Sequence, residues 1–292
     1  MNPLGVSHRA TPCLALDIGG TKVDVALIDG DGAITERERV LVGEHPTDLF
    51  DYVVDVARHL RGASCVDVVG VGCAGPMTVG GAEVSPLNIT QWRGFPLRAR
   101  LEEALGATVF VEGDARALAA AEGVFGAAVG NRCYLSMVVS TGVGGGLVID
   151  GRLLDGDSGN AGHIGHLNVV PDGALCSCGS YGCLEAEVSG WAIQARTGRR
   201  AEDADAQTRE RTAQLVGRAV GSLASVLDFN HCYVAGSVAL GFGDDFFSVA
   251  TKTARSFAQL SYTGALEVSR TGLGDDGPLL GAAVVAWRGV HR

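Results

Sequence analysis

The fold is decided by the stretch Leu16-Asp17-Ile18-Gly19-Gly20-Thr21-Lys22, which separates two strand-like runs. The apolar run Cys13–Asp17 precedes the glycines, and the run Lys22–Ile28 follows them. Two short β runs around a glycine turn predict a β-hairpin. The P-loop is excluded, because that motif requires Gly-x-x-x-x-Gly-Lys-Ser/Thr in front of a helix, whereas here a strand follows.

The turn of this hairpin contains residue types that bind phosphate. Gly19 and Gly20 carry no side chain, so backbone N–H groups can approach phosphate oxygens closely. Thr21 adds a hydroxyl, Lys22 adds a positive charge, and the carboxylate of Asp17 is suited to hold Mg²⁺ through water. Taken alone, the stretch is explained equally well as an ordinary glycine hairpin. These five residues are the candidate nucleotide-binding residues of the first half of the chain.

A second glycine-rich stretch, Ser140-Thr141-Gly142-Val143-Gly144-Gly145-Gly146, repeats this pattern. Strand-like runs at 133–140 and 145–149 flank a glycine-rich break at 142–146. Two such turns at matching places in two α/β halves predict a cleft that holds a nucleotide from both sides, a layout suited to phosphoryl transfer. Thr141, Gly142 and Gly144 are its candidate nucleotide-binding residues.

The repeated pattern predicts an α/β protein of two domains. We expect a small N-terminal domain at 1–122 and a larger C-terminal domain at 123–276, which carries a cysteine cluster. A C-terminal helix within 277–292 is expected to return to the first domain. Periodicity of apolar residues predicts helices at 49–60, 97–105, 114–125, 206–228 and 279–287.

Asp114 stands where a predicted strand meets a predicted helix, in Glu112-Gly113-Asp114-Ala115-Arg116. A helix N-cap would explain an aspartate at this place without any chemistry. Next to two phosphate-binding turns, however, a carboxylate that projects from a strand end is placed as a general base would be. Its function would be to accept the proton of a substrate hydroxyl while that oxygen attacks the γ-phosphoryl group.

A metal site is indicated by Gly162-His163-Ile164-Gly165-His166, which is followed by three closely spaced cysteines. Three thiolates and one imidazole form a closed tetrahedral set, which is typical of structural Zn²⁺. Unrelated reduced cysteines are the alternative. The zinc would brace His163 and Glu185, whose side chains can then point into a sugar pocket. The predicted ligands are His166, Cys176, Cys178 and Cys183.

Composition limits the remaining classes of function. The 292 residues carry a formal net charge of −10, which argues against a protein that binds nucleic acid through a basic face. The sequence has no uninterrupted apolar run of the roughly 18 residues that a membrane span needs, and its start lacks the apolar core of a signal peptide. We therefore expect a cytoplasmic protein without membrane or nucleic-acid partners.

These four segments, in this order, resemble the ROK family of sugar kinases and repressors over almost the whole chain. The resemblance implies an actin-like ATPase fold, in which two ribonuclease-H-like domains enclose a nucleotide and sugar cleft. It also implies ATP with Mg²⁺ as donor, Asp114 as the base and a homodimer. Sugar hydroxyls would be bound by Asn88, His166 and Glu185, and Gly236 would lie near the adenosine.

Two positions depart from the family pattern. Gly113 stands where the family usually has Asn, and His163 stands where it usually has Glu. Bacterial N-acetylmannosamine kinases resemble this chain in having His at the second position, but they keep the Asn. Both positions are expected to contact the sugar, so the departures leave the identity of the sugar open.

The sequence predicts ATP-dependent phosphorylation of a hexose or hexose derivative at its primary 6-hydroxyl. A kinase of N-acetylmannosamine or of a sugar-like cyclitol is the alternative, and a non-catalytic sugar-sensing ROK protein is a remote one. A repressor is disfavoured, because only about a dozen residues precede the first strand, too few for a helix-turn-helix module. The sequence does not decide between ATP and polyphosphate as donor.

Overall fold

The computed structural model of the chain describes residue 4 and residues 11–44, 49–62, 66–86 and 89–290. Its strands are β1 (Cys13–Ile18), β2 (Lys22–Ile28), β3 (Ile34–Leu41), β4 (Val68–Cys73), β5 (Thr108–Gly113), β6 (Tyr134–Val139), β7 (Val143–Ile149), β8 (Arg152–Leu153), β9 (His231–Ala235) and β10 (Glu267–Arg270). Its α-helices are α1 (Leu49–Arg61), α2 (Leu97–Leu105), α3 (Asp114–Phe125), α4 (Leu184–Val188), α5 (Gly190–Thr197), α6 (Ala206–Leu227), α7 (Ser237–Gly241), α8 (Asp244–Phe257) and α9 (Gly277–Val290).

The chain forms two compact units. The first unit takes in Met1–Gly130, Asp155–Ala161 and Leu273–Arg292, and the second takes in Asn131–Leu154 and Gly162–Gly272. The short segment 155–161 therefore belongs with the first unit, although the second unit surrounds it in the sequence. The functional domains predicted at 1–122 and 123–276 stay a prediction.

The two units contain sheets of the same construction. In the first, the strand order is β3-β2-β1-β4-β5, with antiparallel pairing among β1 to β3 and parallel pairing of β1 with β4 and β4 with β5. In the second, the order β8-β7-β6-β9-β10 repeats this arrangement of antiparallel and parallel pairs. The predicted α/β class with a repeated hairpin is confirmed.

Alternation along β1 and β4 directs side chains to the two faces of the first sheet. Leu16 and Val71 belong to the apolar core that also contains residues of α1 and α2. Asp17 pairs with Gly72, which lies on the same face as Gly70. A Cβ on Gly70 would overlap the backbone of α9, so glycine permits the close approach of that helix. Since α9 also packs against α3, the side chain of Asp17 lies on the face of the sheet that these two helices cover.

Glycine also allows the closest helix contact of the second unit. Helices α6 and α8 lie against each other at Gly217 and Gly221, where a Cβ would meet the carbonyl oxygens of Ala250 and Ala254 at 2.4 Å. At its start, α6 is capped by the carboxylate of Asp205, which accepts a hydrogen bond of 2.8 Å from the Thr208 N–H.

The second glycine stretch differs from its prediction in one respect. Strand β7 already begins at Val143, so Gly144 pairs with Val138 inside the sheet. Only 140–142 form the connecting loop, which the Ser140 N–H closes by donating to the Gly142 carbonyl at 2.9 Å. The reason is packing, because a Cβ on Gly145 would lie 2.7 Å from Ile164 Cδ1. All three glycines after Val143 thus pair within the sheet, and the predicted nucleotide contact of Gly144 stays a prediction.

Within 11–44, 49–62, 66–86 and 89–290, no helix combines the length and the apolar character that crossing a bilayer requires.

Candidate active site and metal site

The parallel strands of the first sheet bring the predicted acidic residues to one edge. Strands β1, β4 and β5 are in parallel register, so their carboxyl ends meet at the same edge of the sheet. Asp17 is the last residue but one of β1, and Asp114 follows the last residue of β5 directly. The Oδ1 atom of Asp17 and the Cα of Asp114 each lie 3.7 Å from the position of a Cβ built on Gly72. The two carboxylate-bearing residues therefore flank one glycine.

Asp17 is buried among like charges. Its exposed fraction is 8%, and burial is the largest cause that raises the pKa of its carboxyl to about 7. The negative charges of Asp114 and Asp24 raise the pKa further, whereas Lys22 and Arg37 oppose this effect. A divalent cation beside Asp17 would offset the repulsion from Asp114 and Asp24, and it would favour the ionised carboxylate.

Asp114 occupies the first turn of α3, but it is not the cap of that helix. Gly113 is the N-cap residue, and Asp114 is exposed. The Asp114 Oδ1 accepts a hydrogen bond of 2.7 Å from the Ala115 N–H. A cap alone thus does not account for this aspartate.

The turn between β1 and β2 differs in part from the predicted phosphate loop. The Gly19 N–H donates to the Lys22 carbonyl oxygen at 3.0 Å, so it closes the turn instead of pointing towards a phosphate. Lys22 Nζ lies 3.2 Å from Asp24 Oδ2. Thr21 is exposed and Gly20 is half-buried. The predicted contacts of Gly20, Thr21 and Lys22 with a nucleotide stay predictions.

Asp24 is the centre of a buried ionic network behind this turn. Arg39 donates two hydrogen bonds to it, of 2.7 and 3.1 Å, and Arg37 lies 3.2 Å from Oδ2. Burial alone would raise the pKa of Asp24, but hydrogen bonds from Arg39, Arg37 and Lys22 outweigh it and lower the pKa. Asp24 is therefore an anion that binds Lys22 of β2 together with Arg37 and Arg39 of β3.

The role of Arg116, which is only 4% exposed, was not predicted from the sequence. Its guanidinium donates to Glu112 Oε1 at 2.7 Å, to Asp155 Oδ1 at 2.6 Å and to the Ala161 carbonyl at 3.0 Å. These bonds tie the segment 155–161 to the start of α3. A Cβ on Gly113 would lie 3.4 Å from Arg116 Cδ, so the arginine stem runs over the glycine that replaces the family's Asn.

In the second unit, Glu185 supports the loop between β6 and β7. Its Oε2 accepts a hydrogen bond of 2.9 Å from the Val143 N–H. The same oxygen would be 2.9 Å from a Cβ on Gly142, so only glycine leaves room for this carboxylate. The Gly190 N–H donates to the Ser140 carbonyl at 2.7 Å, which ties the start of α5 to the loop.

Gly236 lies beside the same loop. Its φ of +100° is a conformation that favours glycine, and a Cβ there would overlap the backbone of Val139. The next residue, Ser237, shares a hydrogen bond of 3.0 Å with the hydroxyl of Ser140. The structure thus brings two sequence-predicted segments, 140–142 and Gly236, into one place.

The segment that carries His163 and His166 is packed against β7 by its glycines. A Cβ on Gly162 would lie 2.5 Å from the Gly145 carbonyl, and one on Gly165 would overlap the Val143 carbonyl. This close packing presents two exposed imidazoles, whose ring centroids are 6.1 Å apart and nearly parallel.

The four predicted metal ligands converge. The ligand atoms of His166, Cys176, Cys178 and Cys183 all lie within 4.8 Å of one another. Cys178 Sγ is 3.7 Å from Cys183 Sγ, and Cys176 Sγ is 3.6 Å from His166 Nδ1. A disulfide is excluded, because bonded sulfurs lie about 2.05 Å apart.

These distances fit a tetrahedral zinc ion. Two thiolates on a common zinc lie about 3.8 Å apart, and a thiolate and an imidazole nitrogen about 3.6 Å apart. The loop is shaped by Gly179 and Gly182, which have φ of +91° and +70°. The backbone N–H of Ser180 lowers the pKa of the Cys178 thiol and favours a thiolate ligand. The donor set therefore fits the predicted ion.

Asn88, the remaining predicted sugar-binding residue, lies outside the described residues.

Comparison with known proteins places the chain in a family. The family model of ROK proteins matches residues 13–288. A glucokinase of Streptomyces coelicolor is 36% identical over 180 residues, which cover 62% of this chain and 57% of that protein. The chain thus matches a little over half the length of this relative. An N-acetylmannosamine kinase of Haemophilus influenzae is 32% identical over 294 residues, 93% of this chain and 94% of that protein.

Solved structures agree with this relationship. A ROK hexokinase of Thermus thermophilus superimposes with a TM-score of 0.83 at 32% identity, over 96% of this chain and 99% of that one. A ROK glucokinase of Streptomyces griseus, in complex with glucose and AMPPNP, does so with a TM-score of 0.79 at 30% identity, over 94% and 99%. The chain belongs to the ROK family, and the resemblance predicted from its motifs is confirmed.

Proposed function

We propose that the chain is a sugar kinase, which transfers the γ-phosphoryl group of ATP to the primary 6-hydroxyl of a hexose or hexose derivative. The observation that carries this proposal is the pair of carboxylates at the carboxyl edge of the first sheet. Asp17 is buried and electrostatically stressed, whereas Asp114 is exposed at a helix start. Such a pair suits one group that attracts a cation and another that accepts a proton.

Asp114 acts as the general base. As the sugar oxygen attacks the γ-phosphorus, the O–H bond breaks and its proton passes to the Asp114 carboxylate. The new P–O bond forms while the bond between the γ-phosphorus and the β,γ-bridging oxygen breaks, so that ADP leaves. Asp17 would hold the Mg²⁺ that accompanies ATP, and this ion would neutralise charge on the phosphates.

The nucleotide would be bound by the two glycine-rich stretches and Gly236. The residues of the first stretch are Asp17 with the turn residues Gly19, Gly20, Thr21 and Lys22. The others are Thr141, Gly142, Gly144 and Gly236. The bound AMPPNP of the Streptomyces griseus glucokinase supports ATP as the donor. The hydrogen bond of Gly19 with the Lys22 carbonyl suggests that Gly19 shapes the turn while its neighbours make the contacts.

The sugar is bound by Asn88, Gly113, His163, His166 and Glu185. His166 has two tasks, since its Nδ1 faces Cys176 Sγ and its Nε2 is left to donate to a hydroxyl. A structural zinc held by His166, Cys176, Cys178 and Cys183 would keep this ring in place. Glu185, two residues after the last zinc ligand, uses one carboxylate oxygen for the Val143 N–H and offers the other to the sugar.

A kinase of N-acetylmannosamine or of a cyclitol is the second candidate. It is favoured by His163 and by the identity with the N-acetylmannosamine kinase. A non-catalytic sugar sensor is a remote third candidate, because it would have no use for Asp114. ATP and reduced zinc ligands suit a cytoplasmic protein. By the habit of the family, we expect a homodimer.

The test is an ADP-release screen of the purified protein against glucose, mannose, N-acetylglucosamine, N-acetylmannosamine, allose and cyclitols. With the best acceptor, Asp114→Asn should lower kcat by roughly 10²- to 10⁴-fold, because the side chain keeps its size and loses only the proton acceptor. Glu103→Gln, an exposed carboxylate on α2, is the matched control and should be as active as the parent. Near-parental turnover by Asp114→Asn would contradict the assignment of the base, and no turnover of any acceptor would favour the sensor.

A further inference from the structure

A cavity of about 260 Å³ in the second unit has no part in binding the sugar or the zinc. It adjoins the loop 140–142 and is lined by an aromatic ring and several polar side chains. They include Thr141, Trp191, Gln194, Arg200, Glu202 and Ser237.

Backbone hydrogen bonds connect this cavity to the loop. Besides the bond from Gly190 to Ser140, the Trp191 N–H reaches the Thr141 carbonyl at 3.5 Å. Ser189 caps α5 by accepting from the Ala192 N–H at 3.1 Å, which fixes where the helix begins. A ligand that has its phosphates at the loop would therefore extend into a cavity whose aromatic wall is Trp191.

Trp191 is unusual among the tryptophans of the chain. It is 64% exposed, whereas Trp92 and Trp287 are 2% and 3% exposed. A single exposed apolar residue is ordinary on a protein surface. An exposed indole that forms the wall of a polar cavity next to a glycine loop, however, offers a flat surface for a planar ring.

The polar side chains that line the cavity suit a nucleobase. Gln194 carries both a donor and an acceptor, and the Arg200 Nε lies 3.1 Å from Glu202 Oε1, so this pair also presents both kinds of group. The volume is slightly below the range of about 300–1,000 Å³ that is typical for whole ligands. The cavity is therefore sized for one part of a ligand, such as a base with its ribose.

We propose that Trp191 stacks on the purine base of the phosphoryl donor, and that the donor is a purine nucleoside triphosphate rather than polyphosphate. This inference rests on the proposed kinase function and names its donor. Polyphosphate has no ring, so it would gain nothing from the indole. Trp191 is thus a residue that determines donor specificity, and it takes no part in the chemical step.

Fluorescence tests the contact without any turnover. Because Trp92 and Trp287 are buried, the emission of Trp191 should respond to a base that stacks on it. We expect ATP and ADP to change the emission saturably, tripolyphosphate to leave it unchanged, and Trp191→Phe to lose the response. The same response to tripolyphosphate as to ATP would overturn the inference.

Kinetics provide the second test. In Trp191→Ala, the KM for ATP should rise roughly 5- to 150-fold, which corresponds to the loss of one base–aromatic stack. The kcat and the KM for the sugar should stay close to the parent, and Trp191→Phe should retain most of the affinity. Phe257→Ala, an exposed aromatic that does not line the cavity, is the control and should bind ATP like the parent.

The outcomes separate this inference from the proposed function. A KM for ATP within twofold of the parent in Trp191→Ala would overturn the stacking role. If Trp191→Ala instead changes the oligomeric state in gel filtration and keeps its KM for ATP, the ring belongs to an interface between copies, and the inference is wrong. If ATP changes the fluorescence but no acceptor is phosphorylated, the kinase proposal fails and the base contact stands.

Discussion

The hairpins that open the two sheets share a topology but differ in charge. In the first unit, Asp17 pairs with Asp24 directly before the turn, and three cations surround the second of these carboxylates. At the corresponding place in the second unit, Val138 pairs with Gly144. The same backbone scaffold thus carries buried charge in one unit and apolar, minimal side chains in the other.

This difference indicates a division of tasks. The first hairpin brings its own carboxylate to the sheet edge, where burial raises the pKa of Asp17. The second hairpin leaves its loop uncharged and receives a carboxylate from outside the sheet, through Glu185. Glu185 in turn follows a loop in which the side chains of His166, Cys176, Cys178 and Cys183 converge. We therefore expect the first unit to be sensitive to changes of charge, and the second to changes that disturb its metal loop.

The largest effect should come from Asp17→Asn. Turnover should fall by about 10²-fold or more, because Mg²⁺ and the phosphates lose a charged anchor. At pH 8 the unliganded variant should nevertheless melt at a higher temperature than the parent. The folded parent holds the Asp17 proton up to a pKa of about 7, whereas the unfolded chain releases it near pH 4. The contribution of Asp17 to the free energy of unfolding therefore declines as pH rises between these values, by up to roughly 4 kcal/mol.

Melting curves from pH 4 to pH 8 check this expectation. The difference in Tm between Asp17→Asn and the parent should grow with pH in that window. Val138→Ala, the change at the corresponding place in the second hairpin, should lower Tm by a similar amount at every pH. If the Tm of the parent and the Tm of Asp17→Asn changed with pH in the same way, the carboxyl of Asp17 would not have the raised pKa on which this prediction rests.

The motifs of both hairpins were predictable, because glycine turns, the periodicity of apolar residues and the cysteine spacing are local signals. They placed Asp17 and Asp114 near strand ends and the four metal ligands in one cluster. Parallel pairing of β1, β4 and β5 then converts these local signals into one edge of a sheet.

The remaining features depend on contacts between distant segments. Nothing in the sequence indicated that Arg116 would bind Asp155 and Ala161, which lie 39 and 45 residues further along the chain. The cavity beside Trp191 needs a loop, a helix start and the segment near 200 to come together. The glycines after Val143 were misplaced into a loop, since their function is to admit a neighbouring segment, and packing of that kind leaves no local pattern.

A smaller effect is expected from the metal loop. Cys178→Ser should lose the zinc, and the protein should melt several degrees lower, since each kcal/mol lost lowers Tm by about 2–4 °C in a protein near this size. The KM for the sugar should rise more than the KM for ATP, because the loop positions His166 and Glu185. Elemental analysis, calorimetry and steady-state kinetics provide the measurements.

Cys133→Ser is the matched control for the metal loop, because Cys133 lies outside the cluster and is half-buried. It should retain the zinc and the KM for the sugar. Full activity of the parent in a chelator, together with no zinc on analysis, would contradict the four-ligand site.

The smallest effect concerns sugar preference, and it combines changes at Gly113 and His163. Gly113 has φ −57° and ψ 135°, a conformation open to any residue, and an added Cβ would make ordinary contact with Arg116 Cδ at 3.4 Å. His163 is exposed, so Glu can replace it without burying a charge. Gly113→Asn supplies an amide, and His163→Glu supplies an acceptor that does not depend on a tautomer.

Together the two changes should shift kcat/KM towards glucose, relative to the parent's best acceptor, by roughly 5- to 100-fold, the worth of two ordinary hydrogen bonds. Each single variant should give a part of this shift, and the two parts should multiply if the residues contact different hydroxyls. The parent should prefer another hexose, a 2-acylamino sugar or a cyclitol, and the acceptor screen measures both quantities. If the parent already uses glucose with the highest kcat/KM, these two positions do not select the sugar, whereas Asp114 would keep its role. Unequal single effects would show which of the two positions contributes more to recognition of the sugar.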